Sequence, residues 1–335
     1  MDKAKDWKRM AQPGPKNLIT DVAGLAVGHA ANDEIKTGTS VILPETPATA
    51  AVAVAGGGPG TRETDLLRAG MLVGSVDAIC LSGGSAFGLA AADGVLSGMK
   101  SDGRGFSLMD LPGVPKTPIV PSAILYDLAN GGNKDWGDAS PYPALGLEAY
   151  RAAGPDFDLG ETGAGFGARA GAHQGGLGSA SIVTGDGFTI GALAAVNCFG
   201  SVFMPGTACY WAWPYEIDGE FGGQRPPADY SANAEDWGAA KANPGLGQNT
   251  TIACIATDAA LTPSDAQRVA QMALSGFARA IRPVFAPFDG DTVFVLSTGA
   301  KAVPEPAAFH ITRLGELAAS TLARAIARGV YAVSD

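Results

Sequence analysis

Gly245-Leu246-Gly247-Gln248-Asn249-Thr250-Thr251-Ile252 runs from a glycine-rich approach straight into an apolar, β-branched segment that continues to Thr257. Two readings start here. Taken alone, Asn249 is an ordinary turn exit and the pair Thr250-Thr251 opens an ordinary strand, because β-branched residues suit an extended, half-buried surface. The second reading is chemical. A chain cut between Asn249 and Thr250 would leave a threonine whose free α-amine, with a reference pKa near ~8, could serve as base for its own hydroxyl. An internal threonine has no such base. Both readings put a strand over residues 251–257.

Outward from that stretch the chain is unevenly patterned. Before it, residues 210–244 are aromatic, Pro-rich and acidic without a period, a long loop-like region expected to be functional or mobile. Earlier still, Ala180–Val183 and Thr189–Asn197 flank Gly185-Asp186-Gly187 and read as a hairpin. After it, Thr262 is placed to cap a helix from Pro263 to about Ile281, with Asp265 in the first turn. A strand over Thr292–Ser297 and a long helix over Pro304–Val330 follow.

In the first half, Leu18–His29 reads as two short strands about a turn at Gly24, and Thr39–Leu43 with Ala48–Val54 as a hairpin-like pair. Gly56-Gly57-Gly58-Pro59-Gly60 suggests a phosphate cradle but lacks the Lys-Ser/Thr ending of a P-loop. Ala78–Ser82 is a buried strand feeding a helix to about Met99, with Ser85 expected as its N-cap. A nucleophile elbow is disfavoured there, because Phe87 stands where the second glycine of G-x-S-x-G belongs. Ile119–Leu128 is strand-like, and a short helix spans roughly Pro143–Ala153. Gly163, Gly165 and Ala168 form a tight loop rather than a dinucleotide fingerprint, since no buried strand leads in.

Composition narrows the function. The 335 residues are 46% hydrophobic and 17% charged, with 47 Gly and 22 Pro, which describes a turn-rich globular chain long enough to bury a real core. A formal charge of −10 and no basic run argue against a nucleic-acid partner. His29, His173 and His310 are too scattered for a recognisable zinc spacing, so neither metal nor cofactor is expected. Cys80, Cys198, Cys209 and Cys254 have no C-x-x-C spacing and read as buried thiols of a reducing compartment. With a charged start and no apolar run long enough to span a bilayer, the expected location is the cytoplasm, away from membrane.

Several stretches together resemble the DmpA-like peptidases, which take in L-aminopeptidase/D-esterases, β-aminopeptidases and nylon-oligomer hydrolases. They are Asp21-Val22-Ala23-Gly24 with Val27-Gly28-His29-Ala30, Gly57–Glu63, Leu81–Leu89, Gly163-Ala164-Gly165, Asn249-Thr250-Thr251-Ile252 and Asp289-Gly290-Asp291-Thr292. Each is weak alone; six in the family's order, spread over almost the whole chain, are specific. The resemblance implies an αββα sandwich, two sheets between helices, made as a precursor that cuts itself into 1–249 and 250–335 within one hydrolase domain. It also implies a homo-oligomer, commonly a tetramer.

Residue by residue, the resemblance makes Thr250 the nucleophile, a serine in many aminopeptidases and a threonine after asparagine in the nylon-oligomer hydrolases. It makes Asp289 and Asp291 polar partners of that nucleophile, Asn197 a side-chain amide supporting the oxyanion, and Tyr126 a substrate neighbour. Asp127, beside Tyr126, is a candidate acceptor for a substrate ammonium. One departure is visible: where nylon-hydrolase relatives carry a lysine, this chain has Ala172, with Arg169 and His173 nearby. The expected activity is removal of an N-terminal residue from small peptides, amides or esters through a threonine acyl-enzyme. The rivals are endo-hydrolysis of ω-amino-acid oligomers and, from another class, a non-catalytic small-molecule-binding protein on the same fold.

Overall fold

The computed structural model describes residues 11–109, 111–240 and 249–333. Among them the strands are, in chain order, β1 (Leu25–Asn32), β2 (Thr37–Pro44), β3 (Thr49–Val54), β4 (Thr61–Arg62), β5 (Ile79–Ser82), β6 (Ser122–Ile124), β7 (Arg169–Ala170), β8 (His173–Gln174), β9 (Gly176–Val183), β10 (Thr189–Asn197), β11 (Thr250–Ala259) and β12 (Thr292–Lys301). The α-helices are α1 (Ala91–Ser101), α2 (Tyr142–Arg151), α3 (Pro263–Ala280) and α4 (Ala307–Tyr331). Gly245–Gln248 of the decisive stretch lie outside the described residues.

Two five-stranded sheets stack face to face, one ordered β1-β2-β5-β6-β4 and the other β3-β12-β11-β10-β9. β11 is buried on both of its faces, as a central strand is. Ile252, Cys254 and Ala256 enter the layer between the sheets with Ile42, Leu81, Leu193 and Phe294. Ala253 and Ile255 point the other way, into the layer covered by Phe277 of α3 and Leu322 and Ile326 of α4. On the far side of the first sheet, Val41 and Cys80 pack with Val95 and Met99 of α1 and Tyr142 and Leu145 of α2. The layers are therefore helix, sheet, sheet, helix, and the expected αββα sandwich is what forms.

β11 and β12 run parallel, so the chain needs a crossover between them, and α3 supplies it. Its start is well determined: Thr262 Oγ1 accepts the Asp265 N–H at 3.2 Å and Pro263 occupies the first turn. The aperiodic segment after Tyr210 is tied down by α4. Arg324, 1% exposed, forks onto Glu220 at 2.5 and 2.9 Å and donates to Ser181 O and Asn17 Oδ1.

Four expectations are corrected. β2 and β3 do not form a hairpin: both edges of β2 are taken by β1 and β5, and β3 crosses to pair with β12 in the other sheet. Ile19–Asp21 is a 3-10 turn rather than a strand, held by Asp21 oxygens that accept the Lys16 and Leu18 N–H groups. Ser85 caps nothing; at φ +53° it opens a 3-10 segment, Ser85–Ala90, that leads into α1. Of the run Ile119–Leu128 only β6 is strand, its two edges used by β4 and β5.

Candidate active site

Thr250 is the first residue of β11, on the face of the strand that turns toward the other sheet, and is 3% exposed. Its hydroxyl donates to the carbonyl oxygen of Asn249, the residue before it, at 2.5 Å. The Gly290 N–H serves both atoms of this pair, lying 2.9 Å from Asn249 O and 3.1 Å from Thr250 Oγ1. A hydroxyl nucleophile, a carbonyl and a backbone donor thus meet at one peptide bond. Gly290 has no room for a side chain, since a Cβ there would sit 2.7 Å from Thr250 Oγ1.

Asp289 and Asp291 flank that glycine in the turn leading into β12, 2% and 1% exposed. Asn249 pairs with Asp289 in a parallel bridge, so the turn lies alongside the Asn249–Thr250 bond. Asp289 Oδ2 accepts the Ala286 N–H at 3.2 Å. Asp291 accepts two backbone donors, Thr251 at 2.8 Å and Phe285 at 3.1 Å, and so pins the start of β11 to the start of β12. Burial pushes the Asp291 carboxyl up to about 6, against those two hydrogen bonds, which pull it down. The turn is gripped from behind by the glycine run: Ala55 and Gly56 donate to Asp291 O, Gly57 to Ala286 O and Gly58 to Asp289 O. The N–H groups of that run thus serve protein carbonyls.

Asn197 ends β10 directly opposite Thr250 in the β10–β11 register and is fully buried. Its Nδ2 donates to Tyr126 O at 2.9 Å, and its Oδ1 accepts the Arg169 N–H at 2.9 Å and Asn130 Nδ2 at 3.1 Å. Tyr126 therefore meets the group through its backbone. Asn249, Thr250, Asp289 and Asp291 thus meet at the starts of β11 and β12, and Asn197, opposite Thr250 at the end of β10, holds the Tyr126 carbonyl. Gly290 and Asn130 were not anticipated. A glycine between two carboxylates is silent about its N–H, and Asn130 stands in a polar loop with nothing in its spacing to mark it.

The remaining candidates have other partners. Asp127 is fully buried, with Oδ2 accepting from Thr37 Oγ1 at 2.6 Å and Oδ1 from Gly84 N at 2.8 Å, and burial raises its carboxyl pKa. Both of its carboxylate oxygens are taken by these protein donors, which corrects its candidacy as a substrate-ammonium acceptor. Arg169 turns its guanidinium to Ala172 O at 3.3 Å, and exposed His173 packs edge-on to Phe203. His29 is bonded through Nδ1 to Ser40 Oγ at 2.9 Å, and burial lowers its pKa to about 4. All four cysteines are buried thiols. Among the described residues no helix is long and apolar enough to cross a membrane.

The profile of peptidase family S58 matches residues 17–335. An uncharacterized aminopeptidase of Mycobacterium tuberculosis is 44% identical over 331 residues, covering 94% of this chain and 93% of the relative. A 6-aminohexanoate-oligomer endohydrolase of a Kocuria species is 31% identical over 309 residues, covering 88% and 79%. Among solved structures, a Burkholderia β-aminopeptidase superposes with a TM-score of 0.68 at 24% identity, covering 96% of this chain and 88% of that one. The L-aminopeptidase D-Ala-esterase/amidase of Ochrobactrum anthropi, described as a variant of the Ntn hydrolase fold, gives 0.67 at 20% over the same shares.

Proposed function

This chain belongs to peptidase family S58 and is a peptide-bond hydrolase, and from that premise we propose that it cuts itself between Asn249 and Thr250 and then acts as an aminopeptidase with Thr250 as nucleophile. The observation that carries the reading is the 2.5 Å contact of the Thr250 hydroxyl with the carbonyl of the peptide bond to be cut, under a shared Gly290 N–H. Addition of Oγ1 to the Asn249 carbonyl carbon, with the Gly290 N–H stabilising the oxyanion, passes the hydroxyl proton to the Thr250 nitrogen, which then leaves as an amine, so the acyl group moves from N to O. Water then hydrolyses that ester, leaving a carboxylate on Asn249 and a free amine on Thr250.

In turnover the freed amine takes the proton of its own hydroxyl as Oγ1 attacks an amide or ester carbonyl, and returns it to the leaving amine. Asp289 and Asp291 hold the strand ends in register and favour a positive charge on that amine. Asn197 supplies a neutral N–H donor to the oxyanion, and Tyr126 borders the bound substrate. The α-amine is the base in this scheme, which is consistent with Ala172 at the relatives' lysine position. By the same family likeness the protein is proposed to work as a homo-oligomer.

A second reading is favoured by the Asn249–Thr250 junction together with the 31% identical 6-aminohexanoate-oligomer endohydrolase. The two readings part on substrate. Intact-mass measurement of fresh protein is expected to give two fragments, the smaller beginning at Thr250. Thr250→Ala stays full length and inert, and Thr250→Ser still processes. An active wild-type preparation that remains one chain overturns the mechanism. Turnover of an α-amino amide that vanishes when its amine is acetylated supports the aminopeptidase; equal rates on free and acetylated substrates leave an endo-acting hydrolase.

A further inference from the structure

We propose that Asn130 is a positioning residue that acts through Asn197, holding and polarising the amide that faces Thr250; this rests on the oxyanion role given to Asn197 above. Asn197 offers two N–H groups and a carbonyl oxygen with two lone pairs. Both lone pairs are used, by the Arg169 N–H at 2.9 Å and by Asn130 Nδ2 at 3.1 Å. One N–H goes to Tyr126 O at 2.9 Å, so the other is what remains for an oxyanion.

Of these three neighbours, Arg169 and Tyr126 contribute backbone atoms, and Asn130 alone contributes a side chain. The N–H donors of Asn130 are all committed: its second side-chain N–H donates to Gly167 O at 2.9 Å, and its backbone N–H closes a turn onto Asp127 O at 2.9 Å. It therefore clamps the 126–130 turn, the glycine loop before β7 and the end of β10 onto one buried amide. A carbonyl oxygen that accepts two hydrogen bonds draws density from its nitrogen, and the remaining N–H becomes a better donor in a water-poor site.

The test uses the full-length protein, with an alanine anilide as substrate and the rate of self-processing as a second readout. Asn130→Ala is expected to lower kcat on the order of 10- to 100-fold with KM within about 2-fold, a smaller loss than the ~10²–10³ typical of removing a donor outright. Asn130→Asp, nearly identical in shape, is expected to be worse, because it puts a carboxylate against two acceptors and favours a flipped Asn197. In an Asn197→Ala background, Asn130→Ala is expected to cost nothing further. Wild-type kcat in Asn130→Ala overturns the proposal, and so does an equal loss in both backgrounds, which would make Asn130 a general support of the fold. Thr250→Ala separates the two levels: if it is inert and uncut, a failure at Asn130 leaves the Thr250 mechanism standing; if it still turns over, both fall.

Discussion

At Asp291, burial and hydrogen bonding pull in opposite directions, and burial prevails, leaving the carboxyl at about 6. An exposed aspartate sits near ~3.9. Between those values the folded protein holds a proton that the unfolded chain has released, so stability contributed by Asp291 falls as pH rises from about 4 to 6. The chemistry has the other sign. Only the ionised carboxylate accepts both the Thr251 and Phe285 N–H groups and favours an adjacent ammonium. Turnover is therefore expected to rise through pH 6, while this residue's share of the stability declines. Asp291→Asn is expected to lower kcat by ~10²-fold or more at pH 7 and to change Tm there by much less, because the relief of a buried charge offsets the loss of one of the two accepted N–H groups, and to flatten the slope of Tm between pH 4 and 6. A variant that loses stability at pH 7 in proportion to its activity would mark Asp291 as a structural residue only.

The glycine run before β4 and the cap of α3 allow a comparison between elements. A Cβ on Gly56 would stand 2.2 Å from Asp289 O and 2.5 Å from Asp291 N, both backbone atoms, so the turn carrying the two carboxylates has to move. Gly56→Ala is expected to cost about 1–3 kcal/mol of stability, and also to slow self-processing, measured by the lifetime of the full-length chain. Thr262→Ala removes the N-cap of α3, on the opposite side of the sheet from the face Thr250 presents. It is expected to cost about 1 kcal/mol with processing unchanged. Equal processing rates in the two variants would detach the glycine run from the site. The start of α3 was readable because a cap, a proline and an amphipathic face agree along one segment. The partner of the glycine run was not, because its contacts are to carbonyls more than two hundred residues away.

Over the whole molecule, the two proposed fragments are interleaved. β11 and β12 both belong to 250–335, yet they lie side by side between β3 and β10, which belong to 1–249. α3 and α4 of the second fragment cover a sheet completed by strands of the first. Separation would break two full strand registers, β10–β11 and β3–β12, and expose the layers on both sides. Processed protein is expected to elute from a sizing column as one species containing both fragments, and to part only in denaturant. Separate elution under native conditions would contradict this arrangement.

Local chemistry determined much of this protein in advance. The apolar, β-branched run Thr251–Thr257, the capped start at Thr262, the β10 limits Thr189 and Asn197, and the strand–helix order each depend on residues within a few positions of one another. The ordered motifs at Asn249-Thr250 and Asp289-Gly290-Asp291 further marked which polar residues to watch. Tertiary structure decided the rest. The sheet that β3 joins depends on which strand edges are already filled, a competition that no local stretch can express. Asp127 became a sealed structural carboxylate because Thr37 and Gly84 close over it. The two groups around Thr250 that were not foreseen, the Gly290 N–H and the Asn130 amide, matter only through where the β11–β12 pairing and the 126–130 turn place them. A backbone donor is the same in every residue except proline, and only position makes it part of a site.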